Sequence, residues 1–294
     1  MNILVTGANG QLGRTLARLT EGSDDVFFRT DMMADPLGCV ESLDVTSVES
    51  VLDFVRKNEI EVIVNCAAYT AVDKAEEEPD TADLVNHRAV AGLAAVAKEA
   101  DVLLIHISTD YVFDGKTWLP YMDDDRTSPL SVYGRTKAAG EQAVVDSGCR
   151  FIIFRTSWLY GIEGRNFVRT IISKTAELPV MKVVCDQVGS PTFADDLAGI
   201  IAYVIEERMF DKTGIYNYSN EGVCSWYDFA MEICRLAGHL CDIHPCRSDE
   251  YPSKAVRPYY SVLDKTKVKK TFGVEIPHWA DSLRICMAAM NNED

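Results

Sequence analysis

The chain has 294 residues, of which 47% are hydrophobic and 25% are charged, as in an ordinary globular protein. Its net charge of −16 argues against non-specific nucleic-acid binding, which depends on many lysines and arginines facing phosphates. No apolar run approaches the roughly 20 residues that span a bilayer, and the chain opens directly into a predicted strand with no basic leader. We therefore expect a cytoplasmic protein that binds neither nucleic acid nor membranes.

The chain begins with a strand, a glycine-rich turn and a helix. Residues 2–6 are typical of a buried strand, and Gly7, Gly10 and Gly13 follow in the spacing G-x-x-G-x-x-G before an amphipathic helix. Glycines allow positive φ and close backbone approach, and a helix start offers unpaired N–H groups to a phosphate. The spacing differs from the common G-x-G-x-x-G, so the turn alone is weak support for a dinucleotide site.

A second predicted strand, residues 26–29, leads to Asp31. A carboxylate at this place would accept a hydrogen bond from an adenosine ribose hydroxyl. Arg29 stands just before it, and a cation there would instead tolerate a 2′-phosphate. The choice between NAD and NADP therefore stays open.

Strands and helices then alternate along the chain. Strands are predicted at 43–45, 61–65, 102–107 and 151–157. Helices are predicted at 48–56, at 80–99 and from residue 164 onward. Alternation with apolar strands is typical of an α/β fold with a doubly wound, Rossmann-type parallel sheet. Right-handed crossovers place the carboxyl ends of all strands at one edge, where ligands bind in such folds.

Three side chains at that edge are candidates for chemistry. Thr109 ends the fifth predicted strand, and Tyr133 and Lys137 follow four residues apart, a spacing that puts them on one face of a helix. A nearby ammonium would lower the pKa of the phenol. Thr109 would bond a substrate oxygen, Tyr133 would supply its proton, and Lys137 would hold a cofactor ribose. Thr109 alone is equally consistent with a strand-end cap. Tyr133 and Lys137 alone are more typical of an ordinary surface helix.

Four potential zinc ligands lie close together in the C-terminal part, His239, Cys241, His244 and Cys246. Their spacing fits none of the common zinc patterns. In an extended segment the first two would face away from the last two. We therefore predict no metal here.

Four segments together resemble a known family. They are STDYVFDG at 108–115, YGRTK at 133–137, RTSWLY at 155–160 and DQVGSPT at 186–192. With the glycine turn, they are similar to the dTDP-4-dehydrorhamnose reductases of the extended short-chain dehydrogenase/reductase superfamily. The resemblance covers nearly the whole chain, from residue 2 to about residue 279.

The resemblance implies an activity. NADPH or NADH would give a hydride to C4 of dTDP-4-dehydro-L-rhamnose while Tyr133 protonates the alkoxide, producing dTDP-L-rhamnose. It implies catalytic roles for Thr109, Tyr133 and Lys137. The predicted cofactor contacts are Gly7, Asn9, Gly10, Gln11, Leu12, Gly13, Asp31, Asp44, Val45, Ala68, Tyr69, Thr70, Tyr133 and Lys137. The predicted substrate contacts are Thr109, Asp110, Trp158, Asn166 and Arg257, the last being equally consistent with a solvated arginine.

The resemblance also implies a division of the chain. Residues 1–155 would bind the dinucleotide, and residues 156–294 would form a smaller C-terminal domain that binds the sugar nucleotide. Segments near 190–220 would return to the first domain. The protein would be a monomer or a homodimer.

Two positions separate this chain from related patterns. Sugar 4,6-dehydratases of the superfamily carry a glutamate two residues after the strand-end threonine, and Tyr111 stands there instead. Some reductases form magnesium-linked dimers through a glutamate after the glycine turn, where this chain has Thr15. We therefore predict no dehydratase activity and no metal-bridged dimer.

Two alternatives stay open at this point. One is another nucleotide-sugar reductase or epimerase of the same superfamily, with a different sugar. The other is a non-catalytic subunit that binds dinucleotide, as in relatives associated with methionine adenosyltransferase. The presence of Thr109, Tyr133 and Lys137 together favours catalysis, since a binding module has no need of all three.

Overall fold

The structure is a computed structural model that describes residues 1–36 and 38–290. In chain order its strands are β1 (Asn2–Thr6), β2 (Val26–Asp31), β3 (Glu41–Ser42), β4 (Val62–Asn65), β5 (Leu103–Thr109), β6 (Arg150–Thr156), β7 (Leu159–Tyr160), β8 (Val180–Val184), β9 (Val188–Gly189), β10 (Thr192–Phe193), β11 (Gly214–Asn217), β12 (Cys224–Ser225) and β13 (Asp242–Cys246). The α-helices are α1 (Gln11–Leu19), α2 (Val48–Lys57), α3 (Val72–Ala75), α4 (Pro79–Asp83), α5 (Ala89–Glu99), α6 (Val132–Ser147), α7 (Phe167–Glu177), α8 (Ala194–Glu206), α9 (Trp226–Ala237), α10 (Thr266–Phe272) and α11 (Trp279–Met290).

Seven strands form one parallel sheet in the order β11-β6-β5-β4-β1-β2-β3. From β1 the chain builds outward to β2 and β3, then returns to β4 and builds outward in the opposite direction. This reversal between β1 and β4 opens a crevice at the carboxyl ends of the strands, the place where doubly wound sheets bind ligands. The predicted Rossmann-type α/β fold is confirmed.

Helices cover both faces of the sheet because successive strand residues point to opposite sides. In β1, Ile3 and Val5 pack with α1 and α8, whereas Leu4 packs with α2 and α5. The central strands are therefore apolar on both faces, the pattern from which a buried parallel sheet was predicted.

The C-terminal part has an apolar core of its own. Helices α7, α9 and α11 surround buried rings that include Tyr160, Phe193 and Phe229, and the parallel pair of β8 and β13 closes one side. Helix α8 and strand β11 instead join the large sheet, where β11 pairs with β6. The predicted boundary near residue 155 stays a prediction, and residues 291–294 of the predicted second domain lie outside the described residues.

Three predicted elements differ from those observed. The third strand ends at Ser42 rather than covering 43–45, because the Asp44 carboxylate accepts the backbone N–H of Thr46 at 2.8 Å and forms a turn. The long helix predicted over 80–99 is interrupted by a π-helical turn, Leu84–Arg88. The helix expected from residue 164 begins after Asn166, whose side chain caps α7.

A buried ion pair fixes α6 to the sheet. Arg155 in β6 and Glu141 in α6 are 3% and 4% exposed, and their Nη2 and Oε2 atoms lie 2.7 Å apart. Because Arg155 Nε also lies 3.0 Å from Glu141 Oε1, the pair is bidentate and orients the helix as well as holding it.

We predict that Glu141→Ala lowers the free energy of unfolding by about 3–5 kcal/mol, because it leaves a buried guanidinium without its counter-charge. The matched control is Glu99→Ala, which removes the partner of Arg56 from an exposed pair on the surface and should cost less than about 1 kcal/mol. Denaturant unfolding of both variants measures the difference. Equal small losses would contradict the structural role of the buried pair.

Candidate active site

The glycine turn lies against the end of β4. Gly7 has φ +66°, and a Cβ on it would stand 2.5 Å from the backbone nitrogen of Ala67. A Cβ on Gly13 would collide with the carbonyl oxygen of Gly7. Only glycine fits at these two positions, and the turn can therefore close tightly between β1 and α1.

The first turn of α1 is open to an anion. Gly10 occupies the N-cap and has no side chain to accept the first amides of the helix. The N–H groups of Gln11 and Leu12 begin the helix at the crevice beside β4. A helix start of this kind binds phosphate groups through its N–H groups and its positive dipole end, so the predicted contacts at Gly10, Gln11 and Leu12 fit a pyrophosphate.

Asp31, at the end of β2, is hydrogen-bonded to the glycine turn. Its carboxylate accepts the backbone N–H of Asn9 at 3.0 Å and that of Met32 at 2.8 Å. This places a carboxylate beside the turn, where a ribose hydroxyl would donate to it. Arg29 does not face the same place, since its Nη2 atom donates to the carbonyl of Ala17 near the far end of α1. The hypothesis that Arg29 meets a 2′-phosphate gains no support from this geometry.

Two further predicted segments flank the crevice. Asp44 and Val45 follow β3, which pairs with β2 beside Asp31. Ala68, Tyr69 and Thr70 follow β4 on the other side of the turn. The predicted cofactor contacts thus come from the ends of neighbouring strands and the intervening turn.

Asn86 holds the segment after β4 and was missed by sequence reasoning. It is fully buried in the π-helical turn, where its Oδ1 accepts the N–H of Tyr69 at 2.9 Å and its Nδ2 donates to the Tyr69 carbonyl at 3.0 Å. An asparagine inside an apolar helix gave no signal of its own, because π-turns follow no simple periodicity.

Thr109 and Tyr133 meet at the end of β5. The Thr109 hydroxyl donates to Asp110 Oδ1 at 2.9 Å and accepts the backbone N–H of Tyr111 at 3.2 Å. The phenol of Tyr133 lies close enough to the Thr109 side chain for that side chain to lower its pKa. The ring of Tyr111 packs edge-on against that of Tyr133, with 5.4 Å between their centroids. The structure therefore brings Thr109 and Tyr133 together, and their catalytic roles stay a prediction.

Helix α6 brings Tyr133 to this place by a close backbone contact. Ser131 caps the helix by accepting the N–H of Gly134 at 3.1 Å. A Cβ on Gly134 would collide with the carbonyl oxygen of Tyr111, so glycine lets the helix start lie directly on the turn that follows β5.

The expectation that Lys137 lowers the pKa of Tyr133 is wrong for this structure. The Lys137 ammonium turns towards β5 and donates to the carbonyl of Ile107 at 2.6 Å. Burial raises the pKa of Tyr133 well above its usual value, while the neighbouring Thr109 side chain opposes the rise and the Asp110 charge adds to it. The phenol therefore keeps its proton at neutral pH, which suits a group that donates one.

Burial also shifts the two charged neighbours. Lys137 is 2% exposed, and burial lowers its pKa to about 8. Asp110 is likewise buried, and burial raises its pKa to about 7 against the opposing hydrogen bond from Thr109. Groups with pKa values moved towards neutrality at a ligand crevice are typical of catalytic sites.

A cleft of about 790 Å³ opens beside this edge, between α7, β8 and the loop that carries Arg257. Of the five predicted substrate contacts, Arg257 lines this cleft. Its Nη2 lies 2.7 Å from Asp73 Oδ2, and its Nη1 donates to the Tyr111 hydroxyl at 3.3 Å. Because Tyr111 also packs on Tyr133, Arg257 connects the cleft to the catalytic candidates.

The other predicted substrate contacts lie around the cleft rather than on its lining. Asn166 Nδ2 donates to Gln11 Oε1 at 3.0 Å, which links the start of α7 to the glycine turn. Trp158 stacks on Trp226, with 3.6 Å between ring centroids, and Trp226 lines the cleft. The Asp110 carboxylate accepts a hydrogen bond from the Thr109 hydroxyl at the end of β5.

The two histidines among the potential zinc ligands have other partners. His239 Nδ1 lies 2.8 Å from the Thr175 hydroxyl, and His244 pairs with Asp242 at 3.0 Å. Within residues 1–36 and 38–290, no three His, Cys, Asp or Glu side chains are grouped as a metal site requires. Thr15 is buried and donates to the Gln11 carbonyl at 2.9 Å. That no metal is needed stays a prediction.

No helix within residues 1–36 and 38–290 is both long enough and apolar enough to cross a bilayer.

Comparisons with known proteins agree with this geometry. Residues 1–292 match the family model described as RmlD substrate binding domain. A dTDP-4-dehydrorhamnose reductase of Sinorhizobium fredii is 39% identical over 293 residues, which cover 97% of this chain and 96% of the relative.

Solved structures give the same result. A dTDP-4-dehydrorhamnose reductase from Clostridium acetobutylicum superposes with a TM-score of 0.92 at 40% identity, covering 99% of this chain and all of that one. The enzyme from Bacillus anthracis, solved in complex with NADP, has a TM-score of 0.88 at 34% identity and covers 98% of this chain and 99% of its own. Matches of this identity over the full length of both chains establish common descent, and the chain belongs to the dTDP-4-dehydrorhamnose reductase family.

Proposed function

We propose that this protein reduces the C4 keto group of dTDP-4-dehydro-L-rhamnose with NADPH or NADH, giving dTDP-L-rhamnose. The observation that carries the proposal is that the Thr109 and Tyr133 side chains meet at the carboxyl edge of β5, where burial holds the pKa of the phenol above its usual value. In the proposal Tyr133 is the proton donor, Thr109 is the orienting hydroxyl and the glycine turn binds the dinucleotide. Relatives at 34–40% identity over the whole chain bear the name of this activity.

The glycine turn supports the cofactor assignment. Gly7, Asn9, Gly10, Gln11, Leu12 and Gly13 would surround the pyrophosphate, and Asp31, Asp44 and Val45 the adenosine. Ala68, Tyr69 and Thr70 would border the nicotinamide, with Tyr133 and Lys137 opposite. When bound, the reduced nicotinamide supplies a hydride. The tight fit at Gly7 and the uncapped start of α1 suit a bound pyrophosphate.

The chain's own residues account for the proton. As the C4 carbon accepts a hydride, the electrons of its C=O bond move to the oxygen, which needs a proton. Tyr133 donates its phenolic hydrogen to that oxygen and is left as a phenolate. Thr109 holds the same oxygen by a hydrogen bond and keeps the carbonyl in line with the phenol. The raised pKa of Tyr133 keeps this proton in place until the alkoxide forms.

The cleft supports the substrate assignment. The cleft is lined by Arg257, Lys174 and Lys182. Of these we assign Arg257 to the diphosphate, whose charge an acidic protein must neutralise locally. Trp158 and Asp110 would contact the sugar, and Asn166 would hold α7 against the glycine turn. We further propose that residues 1–155 and 156–294 serve the two ligands separately, and that the protein acts in the cytoplasm as a monomer or homodimer.

The direct test is turnover. The keto sugar is generated in place, the protein is added with NADPH or NADH, and nicotinamide oxidation is followed while the sugar product is identified. The proposal expects dTDP-L-rhamnose. The C4 epimer would indicate a sister reductase, and no oxidation of either cofactor would indicate a binding subunit.

Replacing the proton donor tests the mechanism. Tyr133→Phe should lower kcat by about 10²-fold or more, the loss expected of a general acid, with nearly unchanged affinity for NADPH. Tyr203→Phe, on α8 away from the crevice, is the matched control and should keep full activity. Steady-state kinetics and NADPH fluorescence titration measure the two quantities. Full activity in Tyr133→Phe would remove the phenol from the mechanism.

Arg257 gives a separate prediction for the substrate cleft. Arg257→Ala should raise KM for the sugar nucleotide by about 10–100-fold, the equivalent of losing a charge-assisted hydrogen bond of about 1.5–3 kcal/mol. The KM for NADPH should not change. Arg235→Ala, which removes an exposed arginine paired with Glu232 on α9, is the control. Unchanged sugar KM in Arg257→Ala would show that the diphosphate binds elsewhere.

A further inference from the structure

Four buried polar side chains form a row beneath the candidate site. Thr6, Asn65 and His106 occupy adjacent positions on β1, β4 and β5, and Lys137 reaches them from α6. The Thr6 hydroxyl lies 2.7 Å from Asn65 Oδ1, Asn65 Nδ2 lies 3.0 Å from His106 Nδ1, and His106 Nε2 lies 3.5 Å from Lys137 Nζ. Each of the four residues is at most 2% exposed. Buried polar groups persist only in such networks, and this one ends at a candidate catalytic side chain.

The orientation of the Asn65 amide determines the rest of the row. The backbone N–H of Ala67 can only donate, and it lies 3.1 Å from Asn65 Oδ1. That atom must therefore be the oxygen, and the amide nitrogen must face His106. Since the amide nitrogen donates, His106 Nδ1 accepts and carries no hydrogen.

His106 is consequently neutral with its hydrogen on Nε2. Burial, and then the charge of Lys137, hold the pKa of His106 well below its usual value. A neutral imidazole has one ring hydrogen, and the Asn65 contact excludes it from Nδ1. The Nε2–H group therefore faces Lys137 Nζ. An ammonium has no lone pair to accept this hydrogen, whereas a neutral amine does.

We propose that His106, oriented by Asn65, is a positioning residue that favours the neutral amine of Lys137 and so prepares this lysine to give up a proton. The inference rests on the proposed function, since it gives the lysine a role in turnover. When Tyr133 has protonated the sugar oxygen, its phenolate needs a proton before the next cycle. The Lys137 ammonium releases one N–H proton for this purpose, and its nitrogen lone pair then accepts the Nε2–H of His106. Solvent returns the proton, and no electrons change hands.

The other charges around Lys137 act in the opposite direction or are already paired. Glu141, one turn further along α6, raises the pKa of Lys137, and its carboxylate is shared with Arg155 of β6. The Ile107 carbonyl of β5 accepts from the ammonium. Burial works against these groups and lowers the pKa of Lys137 to about 8. The opposed N–H of His106 acts in the same direction as burial.

The tautomer is tested directly by long-range ¹H–¹⁵N correlation spectra of the ¹⁵N-labelled protein at pH 7. The chain has five histidines, and loss of one ring pattern in His106→Phe assigns the signal. We expect a bare Nδ1 and a protonated Nε2, unchanged down to pH 5. The opposite tautomer, or an imidazolium, would overturn the proposal. This measurement needs neither cofactor nor turnover, so its failure is distinct from failure of the proposed reaction.

The effect on Lys137 is tested by the pH profile of kcat. Turnover should fall as the pH rises through the pKa of Lys137, because the lysine must hold a proton to give one away. His106→Phe removes the opposed N–H group without adding charge, so the alkaline limb should move upward by about one unit. Were Nε2 instead an acceptor for the ammonium, the same variant would move the limb downward.

A matched control separates this role from a structural one. His244→Phe replaces a histidine on β13 that pairs with Asp242 far from the row, and should leave the profile unchanged. If the His106→Phe enzyme loses stability but keeps the alkaline limb of the wild-type kcat profile, His106 has only a structural role in the core. That result would overturn the proposal. If that variant does not fold, the spectrum of the wild-type protein decides, with His106→Gln supplying the assignment.

Discussion

The close approach of helix α6 to the end of β5 is the contact on which the candidate site depends. Gly134 allows the helix start to lie on the Tyr111 carbonyl, and the buried pair of Glu141 and Arg155 fixes the same helix two turns later. These two contacts hold the helix start that carries Tyr133 next to Thr109. A helix displaced by even a methyl group would separate the phenol from the hydroxyl that orients it.

Burial, more than any single charge, sets the protonation of this site. A phenol in a dry environment holds its proton, an ammonium gives its proton up more readily, and a carboxyl tends towards neutrality. Tyr133, Lys137 and Asp110 shift in these directions. The raised pKa of Tyr133 suits a reduction, because the proton donor must be protonated when the alkoxide appears. The same burial explains why the row from Thr6 to Lys137 must be fully hydrogen-bonded, since an unpaired polar group here would be costly.

Much of the fold followed from local patterns. Alternating apolar strands and amphipathic helices predicted the parallel sheet, and the glycine spacing predicted the turn that Gly7 and Gly13 make necessary. The spacing of Tyr133 and Lys137 predicted a shared helix face, and Thr109 lies where the strand pattern put it.

What the sequence did not show depends on contacts between distant segments. The direction of the Lys137 ammonium is decided by the Ile107 carbonyl, thirty residues earlier, and it reversed the expected shift of the Tyr133 pKa. Asn86 acts only because a π-turn aims it at Tyr69, and Asn65 only because adjacent strands align it with His106. The partner of Arg257, Asp73, lies in a short helix of the sheet region that carried no distinguishing pattern.

The central claim is that a half-buried, protonated Tyr133 meets the reacting oxygen of the sugar. Its most direct test is a crystal structure of the protein with NADP⁺ and dTDP-L-rhamnose bound together. The account predicts the C4 oxygen within about 2.6–3.2 Å of both the Tyr133 and Thr109 hydroxyls, with the nicotinamide on the opposite side of C4. A sugar bound with C4 beyond reach of Tyr133, or a nicotinamide away from the glycine turn's crevice, would contradict it.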